Sequence, residues 1–210
     1  MRPVPIGTGF GAQARPAQPA SGLPTPGSYV LFVSTIEVRK NHALLFRVWR
    51  QLEDEVRTGA RPAGSVPTLV FAGRVGWLVA DLLQQLENTG WLGGRVRLIP
   101  DPSDDELRTL YQGCLVTVFP SWFEGWGLPV TESLAFGKPC LASSATALPE
   151  AGGALCRYFD PGDVRAAHRE ISALLDDPGA LAAWTAEIGR EFRPVPWTAT
   201  AAAVLDAIGA

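Results

Sequence analysis

Glu124 and Glu132 stand with seven residues between them in the stretch Pro120-Ser121-Trp122-Phe123-Glu124-Gly125-Trp126-Gly127-Leu128-Pro129-Val130-Thr131-Glu132. They bracket a glycine-broken loop and the start of a Pro-led helix. Carboxylates so placed can accept hydrogen bonds from sugar hydroxyls. A helix start offers free N–H groups and a positive dipole end to an anion such as a diphosphate. The apolar run 114–119 comes just before, so the loop lies where a buried strand ends, the usual place for ligands in a parallel α/β sheet. The combination suits a nucleotide sugar. A plainer reading fits the same residues: Gly125 and Gly127 make a tight turn, Pro129 is an ordinary first helical residue, and Glu132 is solvated opposite Val130 and Leu134. The rest of the chain must decide.

The elements that position this loop alternate. Residues 29–33 read as a buried strand, followed by polar residues 34–40. Asn41 is expected to cap a helix carrying Leu44, Leu45, Val48, Trp49, Leu52 and Val56 at helical spacing. A strand over 68–72 breaks at Gly73, and a helix over 78–86 places Leu78, Leu82, Leu83 and Leu86 on one stripe. Residues 96–99 form a strand, and Ser103 with Glu106 makes a capping box ahead of Leu107 and Leu110. Strand 115–119, the helix from Pro129, strand 139–142 and an edge strand at 155–159 complete the alternation. This predicts an α/β fold with a doubly wound, mostly parallel, Rossmann-like sheet. No G-x-G-x-x-G follows the first strand and no Walker A motif occurs, which disfavours a dinucleotide oxidoreductase and a P-loop NTPase.

Three segments are expected: a Pro/Gly-rich linker at 1–28, a donor-binding domain at 29–162, and a helical tail at 163–210. In the tail, Trp197, Ala201, Val204, Leu205 and Ile208 share a stripe that needs covering. Packing on the domain's own layer and crossing to another domain both satisfy it. With 210 residues, 47% of them hydrophobic, the chain can bury a substantial core. A net charge of −3 argues against nucleic acid and anionic membranes as general partners. Cys114, Cys140 and Cys156 sit in apolar runs without metal-ligand spacing and read as reduced core residues of a cytoplasmic protein. No apolar span reaches transmembrane length, and no signal-peptide pattern opens the chain. His42 and His168 read as structural or surface residues.

Six segments in order carry a resemblance: Ser34-Thr35-Ile36-Glu37-Val38-Arg39-Lys40-Asn41, Asp105-Glu106-Leu107, Leu110-Tyr111, the Glu124 to Glu132 loop, Ala135-Phe136-Gly137-Lys138-Pro139 and Leu148-Pro149-Glu150. From about Tyr29 onward the chain resembles the C-terminal, nucleotide-sugar-binding domain of retaining GT-B glycosyltransferases, the group typified by sucrose synthases and bacterial mannosyltransferases. The resemblance implies transfer of a hexosyl group, with retention, from a nucleoside-diphosphate sugar to an alcohol acceptor in bacterial surface polysaccharide synthesis. It places the protein in the cytoplasm or at the inner membrane face.

By the same resemblance Lys40 contacts the donor diphosphate with Arg39 as its helper, and Glu124 meets the hydroxyls of the transferred sugar. Lys40 and Glu124 are therefore the expected catalytic pair. Gly125, Trp126, Gly127 and Leu128 offer backbone N–H groups, Glu132 takes both ribose hydroxyls, and Ile99 or Pro100 borders the nucleobase. Arg74, at the mouth of the second strand, reads more readily as a surface arginine than as a phosphate ligand. Departures from the pattern are Ser34 where glycine is usual, Thr35 where some members carry a second arginine, and Trp126 in place of phenylalanine. No strict Asp-x-Asp pair occurs, so no metal and no cofactor beyond the donor substrate is expected. Val4-Pro5-Ile6-Gly7 resembles an interdomain hinge. The expectation is half an enzyme, inactive alone and prone to self-association, whose acceptor-binding N-terminal domain lies outside this chain. A non-catalytic nucleotide-sugar-binding module is the alternative, and an epimerase-like fragment would need acid/base residues beyond the two histidines. A glycosidase pair is discounted, because Glu132 leaves its helix near the expected ribose.

Overall fold

The computed structural model describes Val4, residues 6–8 and residues 22–208. The linker expected at 1–28 falls largely outside these. The elements run β1 (Tyr29–Val33), α1 (His42–Thr58), β2 (Thr68–Ala72), α2 (Ala80–Asn88), α3 (Gly90–Gly93), β3 (Val96–Ile99), α4 (Asp104–Gly113), β4 (Val116–Phe119), α5 (Leu128–Ala135), β5 (Cys140–Ser143), α6 (Leu148–Gly152), β6 (Arg157–Phe159), α7 (Val164–Asp176), α8 (Pro178–Glu191) and α9 (Trp197–Ile208). All strand pairs are parallel, in the order β3-β2-β1-β4-β5-β6. The chain builds outward from β1 to β3, then returns to place β4 on the other side of β1. That reversal is the topological switch point of a doubly wound sheet.

Central strands buried on both faces are predominantly apolar, and β1 and β4 are, with one exception in β4. Alternation within β1 sends Val30 and Phe32 to one core, with Leu45, Trp49 and Ile171, and Tyr29 and Leu31 to the other, with Leu110 and Tyr111. Thr117, the polar residue of β4, is tolerated because its hydroxyl pairs with Ser133 Oγ at 2.6 Å. The capping box of α4 forms as expected: Ser103 accepts from the Glu106 N–H while the Glu106 carboxylate accepts from the Ser103 N–H. The three cysteines are buried and free.

Two local expectations are corrected. The helix expected from residue 78 starts at Ala80, and Leu78 is 73% exposed with φ 54°. The preceding loop is instead drawn back onto β1's exit, where Ile36 bridges Val75 and the Gly76 N–H donates to Ile36 O at 2.8 Å. Asn41 precedes α1 but does not cap it with its side chain. Its backbone is left-handed and its amide donates to Pro120 O at 3.1 Å and Pro161 O at 3.0 Å. The tail is three helices, α7 and α8 each capped by an aspartate, Asp163 and Asp177. On α9 the expected apolar stripe is not covered by the domain's own layers: Trp197, Val204 and Leu205 are each about half exposed. Residues 6–8 run alongside, with the Thr8 N–H donating to Val195 O.

Candidate functional site

The loops leaving β1 and β4 meet over the switch point, and they carry the charged residues singled out in the sequence. Arg39 and Lys40 lie on a single 3-10 turn, Val38–Lys40, and Glu124 lies in the loop after Phe119. Lys40 Nζ donates to both carboxylate oxygens of Glu124, at 2.6 and 2.8 Å. Arg39 Nη1 donates to Glu124 Oε2 and to Phe123 O, both at 3.1 Å. The backbones are stitched as well, the Trp122 N–H donating to Arg39 O at 2.9 Å and the Glu124 N–H to Thr146 Oγ1 at 3.0 Å. Only 12% of the Lys40 side chain and 14% of that of Glu124 are exposed, against 42% for Arg39. Partial burial strengthens such ion pairs relative to surface ones. A lysine ammonium has three donors, and two meet one carboxylate here, so the cluster retains capacity for an anion.

Beneath this turn sits His42, buried, its ring 4.4 Å from Phe32 and 4.8 Å from Phe71, with Nε2 3.2 Å from Ser34 Oγ. Burial first, and the nearby Lys40 charge second, depress it to about 3. It is therefore neutral and adds no positive charge to the cluster.

The helix after the loop also opens onto this edge of the sheet. No side chain caps α5, whose N-cap Gly127 has φ 106°. The backbone there favours glycine, and a Cβ at Gly127 would also lie 2.5 Å from Leu148 Cδ2, which would have to shift. Gly125 is different: a Cβ there would meet nothing within 4 Å. The Trp126 ring packs partly against the core. Leu128, on the first turn, is 37% exposed.

Glu132 belongs to a second constellation. Its partner is the Tyr111 hydroxyl on α4, which donates to Oε2 at 3.0 Å, and the Tyr111 ring stacks on Phe136 at 5.0 Å. Burial raises Glu132 above its ordinary value; the Tyr111 hydrogen bond lowers it and the Asp104 charge raises it further. Ile99 closes β3 almost buried, beside Ala72 of β2. Arg74 pairs with Asp101 at 2.9 Å, both largely exposed, which is the surface role expected of it. The structure thus joins Arg39, Lys40 and Glu124 directly and gives Glu132 a separate partner.

Sequence reasoning missed four contributors. Glu37 and Tyr111 were quoted as motif positions without a role, yet Glu37 Oε1 lies 2.6 Å from Arg39 Nε and its Oε2 accepts from the Trp77 indole at 2.6 Å. Trp77 and Thr146 come from loops after other strands, and no local spacing marks them.

The family model described as glycosyl transferases group 1 matches residues 15–191. O-antigen chain mannosyltransferase B of Escherichia coli is 33% identical over 169 residues, 77% of this chain and 42% of that protein. D-inositol 3-phosphate glycosyltransferase of Mycolicibacterium smegmatis is 31% identical over 196 residues, 90% of this chain and 42% of that protein. The chain thus spans less than half the length of these relatives. Among solved structures, sucrose-phosphate synthase from Thermosynechococcus elongatus superposes with a TM-score of 0.73 at 24% identity, covering 99% of this chain and 51% of that one. Anabaena Alr3699/HepE, solved in complex with UDP, gives 0.68 at 19% identity, covering 87% and 48%. At these identities the structural matches establish the shared fold, one Rossmann-like half of a GT-B architecture.

Proposed function

The chain belongs to the glycosyl transferases group 1 family, and on that premise we propose that it binds a nucleoside-diphosphate sugar at the β1–β4 switch point and takes part in transferring the hexosyl group, with retention, to an alcohol acceptor. The observation that carries this reading is the Lys40–Arg39–Glu124 cluster beside the uncapped start of α5. Two cations and an open helix end suit a diphosphate, and a carboxylate between them suits the hydroxyls of the attached sugar.

In this reading Lys40 and Arg39 neutralise the negative charge that grows on the diphosphate as the bond to the sugar's anomeric carbon breaks. The donor takes over Lys40 contacts that Glu124 holds, and Glu124 turns its oxygens to the sugar. Gly125, Gly127 and Leu128 contribute backbone N–H groups, Trp126 its main chain, Glu132 accepts from the ribose, and Ile99 borders the base. Charge neutralisation by side chains leaves no step that calls for a metal. The acceptor side of the cleft is assigned to a second domain, and the named O-antigen relative favours a saccharide product of the cell surface. We place the reaction in the cytoplasm or at the inner membrane face. Among the described residues no helix is long and apolar enough to cross a membrane.

Calorimetry of the chain with UDP- and GDP-hexoses tests the reading. Saturable binding is expected, weakened about tenfold or more by Lys40→Ala, the scale of a lost charge-assisted hydrogen bond. Heat of dilution alone with every nucleoside-diphosphate sugar would overturn it.

A further inference from the structure

Glu37 has a near-buried carboxylate, 8% exposed, on a loop where burial of an unpaired charge would be costly. Its two oxygens serve two different chain segments. Oε1 forms a close ion pair with the inner nitrogen of Arg39, Nε, at 2.6 Å but outside hydrogen-bond alignment, and Oε2 accepts from the indole N–H of Trp77 at 2.6 Å. Trp77 is 40 residues further along the chain, on the loop between β2 and α2.

That loop is bound to the exit of β1 by its backbone. The Ile36 N–H donates to Arg74 O and the Gly76 N–H to Ile36 O, each at 2.8 Å, and Ile36 bridges Val75. The fit leaves little play: a Cβ at Gly76 would lie 2.9 Å from Thr35 Cγ2, and one at Gly73 would lie 2.1 Å from Ser34 O. The indole ring itself is more than half exposed, so the N–H bond to Glu37, rather than burial, holds it.

The consequence falls on Arg39. A free arginine side chain samples many rotamers, and fixing its planar fork beforehand removes that cost from binding. Here the Glu37 carboxylate is ion-paired against Nε, while Nη1 donates to Phe123 O and Glu124. We infer that Glu37, braced by the Trp77 indole, is a positioning residue that aims the Arg39 guanidinium at the donor diphosphate. This rests on the donor reading of the Lys40 cluster. It competes with a simpler account in which Glu37 only offsets Arg39's charge, and the two accounts predict opposite signs. Removing an offsetting negative charge tightens anion binding, whereas removing a positioning contact weakens it.

The test measures UDP, GDP and inorganic pyrophosphate affinities by calorimetry for wild type, Glu37→Gln, Trp77→Phe and Arg39→Ala, with the Glu37→Gln/Arg39→Ala double variant. Glu37→Gln is nearly isosteric, and Trp77→Phe alters a largely exposed ring without changing any charge. Glu37→Gln is expected to weaken binding of the ligand that wild type takes by about five- to tenfold, and Trp77→Phe by about threefold. The Glu37→Gln effect should not survive in the Arg39→Ala background. A nuclear magnetic resonance signature accompanies this: the indole N–H resonance absent from Trp77→Phe should move upfield in Glu37→Gln, as its carboxylate partner is lost. Unchanged or tighter binding by Glu37→Gln, where wild type binds, overturns the positioning role and leaves the donor site standing. Absence of binding by wild type overturns the donor reading first, and the positioning role with it.

Discussion

On the Glu132 carboxylate, burial and the proposed ribose contact pull in opposite directions. Burial favours its neutral form, while accepting two ribose hydroxyls requires the ionised form, which offers acceptors on both oxygens. Because its value is raised, protonation on acidification begins at a higher pH than for an exposed glutamate. Donor affinity is therefore expected to fall as the pH drops through that raised value. Glu132→Ala should weaken binding by about 1.5–3 kcal/mol at pH 7, the worth of charged hydrogen bonds. It should also flatten the acid limb. Calorimetry at several pH values on both proteins separates this from titration of the nucleotide's own phosphates, which the two share. A wild-type acid limb that persists unchanged in the variant would remove Glu132 from the ribose role.

At the scale of elements, the loop entering α5 carries two glycines with contrasting surroundings. Gly127 has φ 106° and faces Leu148 of α6, so Gly127→Ala combines a strained backbone with a Cβ at 2.5 Å from a packed methyl. A loss of about 1–3 kcal/mol in stability is expected, the range for enforced backbone strain. Gly125 has open space around it, so Gly125→Ala should leave stability unchanged. If the donor approaches the 125–128 backbone, the same substitution should still reduce donor affinity several-fold. Denaturant unfolding and calorimetry on the two variants check both statements. Unaltered donor affinity in Gly125→Ala would move the ligand away from this loop.

For the molecule as a whole, His42 couples the site to global stability. Its value is depressed to about 3 in the fold, against about 6.5 in an unfolded chain. The unfolded state therefore binds a proton that the native state refuses, and stability falls as pH drops from about 6.5 toward 3. At pH 5 the loss relative to pH 7 from this group alone is about 2 kcal/mol. His42→Asn should be less stable than wild type at pH 7, yet show a pH 7-to-5 decline smaller by about that amount. Urea unfolding at the two pH values measures it. An identical decline in both proteins would mean that the buried ring takes up its proton without leaving the native state.

The sequence by itself determined what is local. The runs 29–33 and 115–119 read as strands from their apolar residues, and the Ser103/Glu106 box and the Leu44-to-Leu52 stripe work within a few helical turns. The same holds for the charged loop, whose order of Glu124, glycines and Glu132 is readable because its residues are consecutive. Tertiary structure decided whatever depends on partners distant in sequence. Asn41 looked like a cap, yet its amide bonds carbonyls 79 and 120 residues away. Leu78 fitted a helical stripe, but the β1 exit claims the loop that carries it. Glu37 meets Trp77, and Glu124 meets Thr146, only because strand order β3-β2-β1-β4-β5-β6 brings their loops to one edge. Periodicity and capping report forces acting over a few residues. Which loops share a sheet edge is settled by the pairing of strands, and no spacing within a single loop encodes it.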